Sequence, residues 1–139
     1  MHRKQWTRIF AKYGRFEALE FYNRFKDSLE FDIISEPEEG LVMVKTREHA
    51  RNTLFYMGEV LVTESKIRHG STVGLGLVKG TDPELSEAMA FIDLSFKLEK
   101  FTAELNDILN SLKDIEAKSI AERTEKILQT KVSFEMMND

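Results

Sequence analysis

Gly74, Gly76 and Gly80 lead straight into Thr81-Asp82-Pro83, and glycines ahead of a helix start can wrap backbone amides around an anion. The spacing argues against phosphate. These glycines miss the dinucleotide fingerprint, and no lysine follows Gly80 as a nucleoside-triphosphate loop requires. Asp82 would also put a negative group where the phosphate belongs, so the segment reads as a plain strand-to-helix turn. His2, His49 and His69 lie near the terminus or in expected loops, none at ligand spacing from a second donor, and no metal site is expected. Glu36, Glu38 and Glu39 cluster where a turn is expected, and solvation accounts for them. Lys45, Arg47 and Arg51 form a small basic group beside two expected strands. Such a group can meet a phosphate or an acidic partner, or simply solvate the strand ends. The chain has no cysteine, which excludes disulfides, thiolate clusters and a cysteine nucleophile. No acid, base, nucleophile or metal set converges, which counts against a self-contained enzyme.

The elements that would position these residues follow from periodicity. Trp6, Ile9, Phe10 and Tyr13 fall at helical spacing before Gly14, and Leu19, Tyr22, Phe25 and Leu29 repeat every three or four residues in a second helix. Phe31-Asp32-Ile33-Ile34 suggests a strand, Glu36-Pro37-Glu38-Glu39-Gly40 a turn, and Leu41-Val42-Met43-Val44 a strand covered on both faces. Thr53 to Met57, a bend or bulge at Gly58, and Val60-Leu61-Val62-Thr63 continue the pattern. His69-Gly70-Ser71 turns the chain into Val73 to Val78, and such short connections imply an antiparallel meander.

Asp82 before Pro83 is a strong helix start, since the carboxylate can cap free amides and proline loses nothing at the first helical position. Beyond it, Phe91, Leu94, Leu98, Phe101, Leu105, Ile108 and Leu112 form a stripe at alternating spacings of three and four. An unbroken helix from Pro83 to Ser111 would be roughly 40 Å long, more than a domain of this size covers. The face marked by Phe91, Leu94, Leu98, Phe101 and Leu105 is therefore the candidate partner interface, with ordinary core as the alternative. A shorter returning helix is expected after a break near Lys113-Asp114, and Val132-Ser133-Phe134 suggests an ending strand. The fold class is α+β: an antiparallel meander packed with N-terminal helices and a long C-terminal helical hairpin.

The 139 residues, 42% of them hydrophobic, suffice for one core, and a single domain over residues 1–139 is expected. A net charge of -4 offers a polyphosphate backbone no general attraction, so nucleic acid is not an expected partner. Alternating charge after Met1-His2-Arg3-Lys4-Gln5-Trp6 suggests neither a signal peptide nor a membrane span, and a cytoplasmic protein is expected.

Three blocks, Pro37-Glu38-Glu39-Gly40-Leu41-Val42-Met43-Val44, Gly58-Glu59-Val60-Leu61-Val62-Thr63 and Gly80-Thr81-Asp82 with Ala88, Ala90 and Asp93, together resemble the small G subunit (PhnG) family of the bacterial carbon–phosphorus lyase system. The resemblance implies an α+β protein assembled with larger subunits, above all the I subunit and also H and J, in phosphonate breakdown. It implies a share in exchanging the adenine of ATP for an alkylphosphonate, which gives a ribose 1-phosphonate 5-triphosphate. ATP would be a substrate of the complex, and no cofactor is expected on this chain alone. No catalytic residue carries over. Lys45, Arg47 and Thr63 are the candidates for a share in a substrate pocket. The chain departs from the family at Glu48-His49-Ala50-Arg51-Asn52, where a glycine-rich turn is usual, at Glu64 in place of an arginine, at Thr81 in place of a basic residue, and near Phe96, where a glutamine is usual. A self-associating interaction module, a homodimer when isolated, is the alternative reading.

Overall fold

The computed structural model describes the backbone of residues 2–48, 50 and 53–137, and the side chains of these except 46–48, 56, 134, 135 and 137. Its elements, in order, are α1 (Arg3–Tyr13), α2 (Arg15–Phe25), a single 3-10 turn (Lys26–Ser28), β1 (Asp32–Glu48), β2 (Thr53–His69), β3 (Thr72–Lys79), α3 (Pro83–Lys97) and α4 (Thr102–Met137). The strands form one antiparallel sheet in the order β1-β2-β3, the expected meander, and the fold is α+β. Where the sequence suggests one core, the packing groups into two compact units, Met1–Gly14 with Ala103–Asp139, and Arg15–Thr102.

In the larger unit α3 packs on β3 and β2, with α2 against it. The glycines of β3 make that packing possible. A Cβ on Gly76 would lie 1.9 Å from the carbonyl oxygen of Ser86, and one on Gly74 would lie 2.3 Å from that of Ala90. Backbone atoms cannot give way by such amounts, so α3 can approach β3 this closely only over bare glycine, with Ala90 and Ser86 facing it. Ser86 Oγ donates to the Gly76 carbonyl at 3.1 Å and lies 2.8 Å from Ser65 Oγ, so the hydroxyls buried at the contact are satisfied. Asp93, 2% exposed, accepts the Leu75 amide at 2.9 Å and faces Lys97 Nζ at 3.1 Å.

Asp82 starts α3 as expected, accepting the Leu85 amide at 3.3 Å, with Pro83 in the first turn. Its carboxylate also takes a two-pronged contact from Arg15 at 2.8 and 3.0 Å, which ties the start of α2 to the start of α3. An aromatic cluster fills the space beyond: Phe91 lies 5.8 Å from Phe21, 5.3 Å from Tyr22 and 5.6 Å from Phe31, ring centre to ring centre.

The helix expected from Pro83 to Ser111 is interrupted. α3 ends at Lys97, and Glu99 and Phe101 are left-handed, with φ of 55° and 57°. No glycine or proline marks the break. The Glu99 and Lys100 amides close the helix end on the Phe96 and Ser95 carbonyls, and Phe101 sits 4.6 Å from Phe25 and 6.1 Å from Phe21, ring contacts that help offset a backbone cost of about 1–2 kcal/mol per left-handed residue. Lys113-Asp114, by contrast, breaks nothing, and α4 runs on to Met137 through the segment expected to end as a strand. Free of glycine and proline, that stretch has no reason to stop being helical.

The smaller unit holds α1 and most of α4. Trp6, Ile9 and Phe10 on α1 are buried, as are Leu105, Leu109 and Leu112 on α4, the spacing of three and four expected of helix stripes. Arg8 pairs with Glu116 at 2.7 Å, and Gly14 lies against Leu112. Past Leu112, Ile115, Ile120, Ile127, Leu128 and Val132 are exposed.

β1 corrects two further expectations. Glu36 to Gly40 is not a turn: β1 runs through it, with register shifts between Ile33 and Ser35 and between Ser35 and Glu38. Pro37 is tolerated because it falls in a bulge of an edge strand. Nor is Leu41 to Val44 covered on both faces, since all four side chains are exposed. The bend expected at Gly58 is present, with φ of 153° and a register shift opposite Val44 and Lys45.

Candidate functional site

The sequence candidates scatter when placed on this fold. Thr63 is 1% exposed, and its hydroxyl donates to the Gly80 carbonyl at 2.6 Å and accepts the Asp82 amide at 3.2 Å. It thereby locks the turn from β3 into α3, leaving no free polar atom for a ligand. Lys45 is exposed far along β1, opposite Tyr56, whereas Thr63 stands opposite Glu39. Six residues of strand separate the two sites, roughly 20 Å at ~3.3 Å per residue, so they share no pocket. Arg47 has its backbone in β1 opposite Leu54, and its side chain lies outside the described residues, as do His49, Arg51 and most of the Glu48 to Asn52 departure.

The candidate interface is corrected in the same way. Phe91, Leu94 and Leu105 are 0% exposed, and Leu98 and Phe101 are half-buried. Phe91 and Leu94 are core because α3 packs on the sheet and Phe91 enters the aromatic cluster, while the break at Leu98 to Phe101 puts Leu105 on a separate helix, α4.

The glycine segment binds no anion by its geometry. Gly74 and Gly76 are pressed against α3, and the helix start that would hold a phosphate is already occupied by the carboxylate of Asp82. The Arg15 guanidinium, helped by the Leu85 amide, holds that carboxyl below the usual aspartate range. Among the described residues no group of three histidine, aspartate or glutamate side chains is placed to hold a metal ion. A polar cleft of about 350 Å³ lies where β2 turns into β3, lined by Glu30, Asp32, Arg68 and His69. There His69 Nδ1 donates to the Glu30 carbonyl at 2.5 Å, and Arg68 stands 3.9 Å from Asp32, so these donors already face acceptors of this chain.

What the sequence reading missed is an apolar arm. β3 pairs with β2 only from Val62 to His69, whereas β1 pairs with β2 as far as Glu48 opposite Thr53. Nine residues of β2, Thr53 to Leu61, therefore run on with β1 as a two-stranded ribbon roughly 30 Å long. Leu41 is 63% exposed, Met57 66%, and Val42, Met43, Val44, Leu54 and Phe55 are all exposed as well. Successive residues on a strand alternate sides, so Leu41 and Met43 occupy one face and Val42 and Val44 the other. A ribbon of two strands is marginal in water by itself, and apolar side chains on both faces of one are the pattern of a surface meant to be covered. The available signal was the continuous run Leu41-Val42-Met43-Val44, which periodicity alone cannot assign to core or to interface.

No helix is long and apolar enough to cross a membrane among the described residues. The family described as phosphonate metabolism protein PhnG matches residues 1–138, through both compact units, the ribbon of β1 and β2 and the whole of α4. This chain belongs to the PhnG family of phosphonate metabolism proteins.

Proposed function

We propose that this chain is an assisting, noncatalytic subunit of a cytoplasmic carbon–phosphorus lyase core complex. The complex moves an alkylphosphonate onto the ribose of ATP with release of adenine. The reading is carried by one observation beside family membership, the ribbon of β1 and β2 with apolar residues exposed on both faces. Its part is to bury that ribbon against a larger subunit, the I subunit first, and so hold that subunit's nucleotide and phosphonate pocket in shape. The chemistry belongs to the larger subunit, and ATP is bound by the assembly.

Coexpression with the candidate larger subunits of the same organism tests this. The expected result is copurification at moderate salt, with adenine release from ATP and methylphosphonate only by the assembled set. Failure of every larger subunit to copurify would overturn the subunit role, and turnover by the isolated chain would overturn the noncatalytic one.

A further inference from the structure

The faces of the ribbon answer to the proposed role, but its outer edge is a separate feature. In the order β1-β2-β3, β1 has β2 on one side and no strand on the other, so alternate backbone amides and carbonyls point away from the sheet. Natural sheets blunt such edges with proline and bulges, and β1 does so only at its start, where Pro37 lies within the bulged stretch before Glu38. From Glu38 on, β1 carries no extra residue. The irregularity at Val44 and Lys45 places the additional residue, Met57, on β2.

We propose that two copies of this chain pair antiparallel through this edge of β1, about a two-fold axis at Val42, making a four-stranded arm. In an antiparallel pair of identical strands related by a two-fold axis, one residue must stand opposite itself, because directly opposed side chains share a face. With Val42 at the centre, Leu41 stands opposite Met43 of the second copy, Gly40 opposite Val44, and Glu39 opposite Lys45, each combination occurring twice. Glu39, Leu41, Met43 and Lys45 lie on one face, so an apolar centre is flanked by two opposite-charge pairs. Neighbouring registers lose this. Centring on Leu41 sets Lys45 opposite Pro37, and centring on Met43 sets it opposite Leu41. Glu39 and Lys45 are both exposed and make no ion pair within the chain among the described residues. The missing amide of Pro37 ends the ladder just beyond Glu38. Pairing at the edge leaves both faces of the ribbon open, so it is compatible with a larger subunit but does not depend on one.

Sedimentation velocity of the full chain, over a concentration series at low salt, tests the proposal. A dimer is expected, weakened about tenfold by Lys45→Glu or by Glu39→Lys alone, since each change sets like charges opposite each other twice. The double variant Glu39→Lys with Lys45→Glu restores it, because both pairs are re-formed with signs exchanged. Both positions are exposed, and circular dichroism checks that each variant stays folded. A chain that remains monomeric throughout, a dimer indifferent to both single changes, or a double variant no better than the singles would overturn the proposal. The subunit role is read separately, from copurification of the larger subunits with the unaltered chain.

Discussion

The two halves of β2 meet fates opposite to what their residues suggest, the mainly apolar half being exposed and the mainly polar half covered. From Val62 to His69 it is the middle strand of three, under α3, with Thr63, Ser65 and Ile67 buried. From Thr53 to Leu61 it has β1 alone beside it, and Leu54, Phe55, Met57 and Leu61 stand in solvent. Apolar content alone would bury the wrong half, since Thr53 to Leu61 is the richer in apolar residues; coverage decides. The Val62 to His69 half lies beside β3, on whose bare glycines a helix is seated, and β3 does not extend along the Thr53 to Leu61 half. One half is held within the chain, the other is left open at the surface.

The comparison breaks most sharply at Phe91, which is fully buried among aromatic rings. Phe91→Ala is expected to cost about 3–5 kcal/mol in urea denaturation, while Leu41→Ala on the exposed ribbon costs well under that. A loss at Leu41 equal to that at Phe91 would show that the ribbon is core after all. Next come the glycines. Gly76→Ala drives a Cβ into the backbone of α3 and is expected to cost about 3 kcal/mol, whereas Gly40 has open space around it, and Gly40→Ala should stay within about 0.5 kcal/mol by the same assay.

A smaller effect is expected at the start of α3. Removing the cap with Asp82→Ala should cost about 1 kcal/mol. The acid side carries a sign as well. Because Arg15 holds the folded carboxyl below its unfolded value of about 3.9, its contribution is present above that pH and is lost as pH falls through the folded value. Acid denaturation of Asp82→Asn should be correspondingly less steep. Tyr22 gives the finest test of the core side. Burial, with Glu87 adding to it, pushes its phenol up to about 12. The neutral ring therefore stabilises the fold fully below the unfolded value of about 10, and this is lost as pH rises toward 12. Phenolate absorbance should show a late component that disappears in Tyr22→Phe. Least of all should change in the chain diluted to monomer when Leu41 and Met43 both become threonine: unfolding free energy should move by no more than about 0.5 kcal/mol, while the larger subunits should no longer copurify.

Much of this was legible in residue order. Helix starts are written locally, and Asp82-Pro83 opened α3 where expected because capping needs only neighbours. The meander followed from short connections, and the bend at Gly58 from a glycine inside a strand. The candidate site fared differently. Thr63 looked available and is spent on the Gly80 carbonyl and the Asp82 amide, a use visible only once β3 has folded back beside β2. Phe91, Leu94 and Leu105 looked like one outward stripe and are buried, the first two on α3 against the sheet and the aromatic rings, and Leu105 on a separate helix that begins after a break without glycine or proline.

The sequence by itself determined the fold class, the start of α3, the sheet's antiparallel sense and the absence of cysteine chemistry, all of which rest on backbone preferences and spacing between near neighbours. Only the tertiary structure decided which apolar residues are covered. Strand periodicity says which side chains share a face and is silent on whether anything lies over that face, so Leu41 to Val44 and the stripe from Phe91 to Leu105 exchanged roles, the first to the surface and the second to the interior. Coverage is set by where β3 stops pairing and where Phe101 turns the chain, and both depend on contacts between residues distant in sequence.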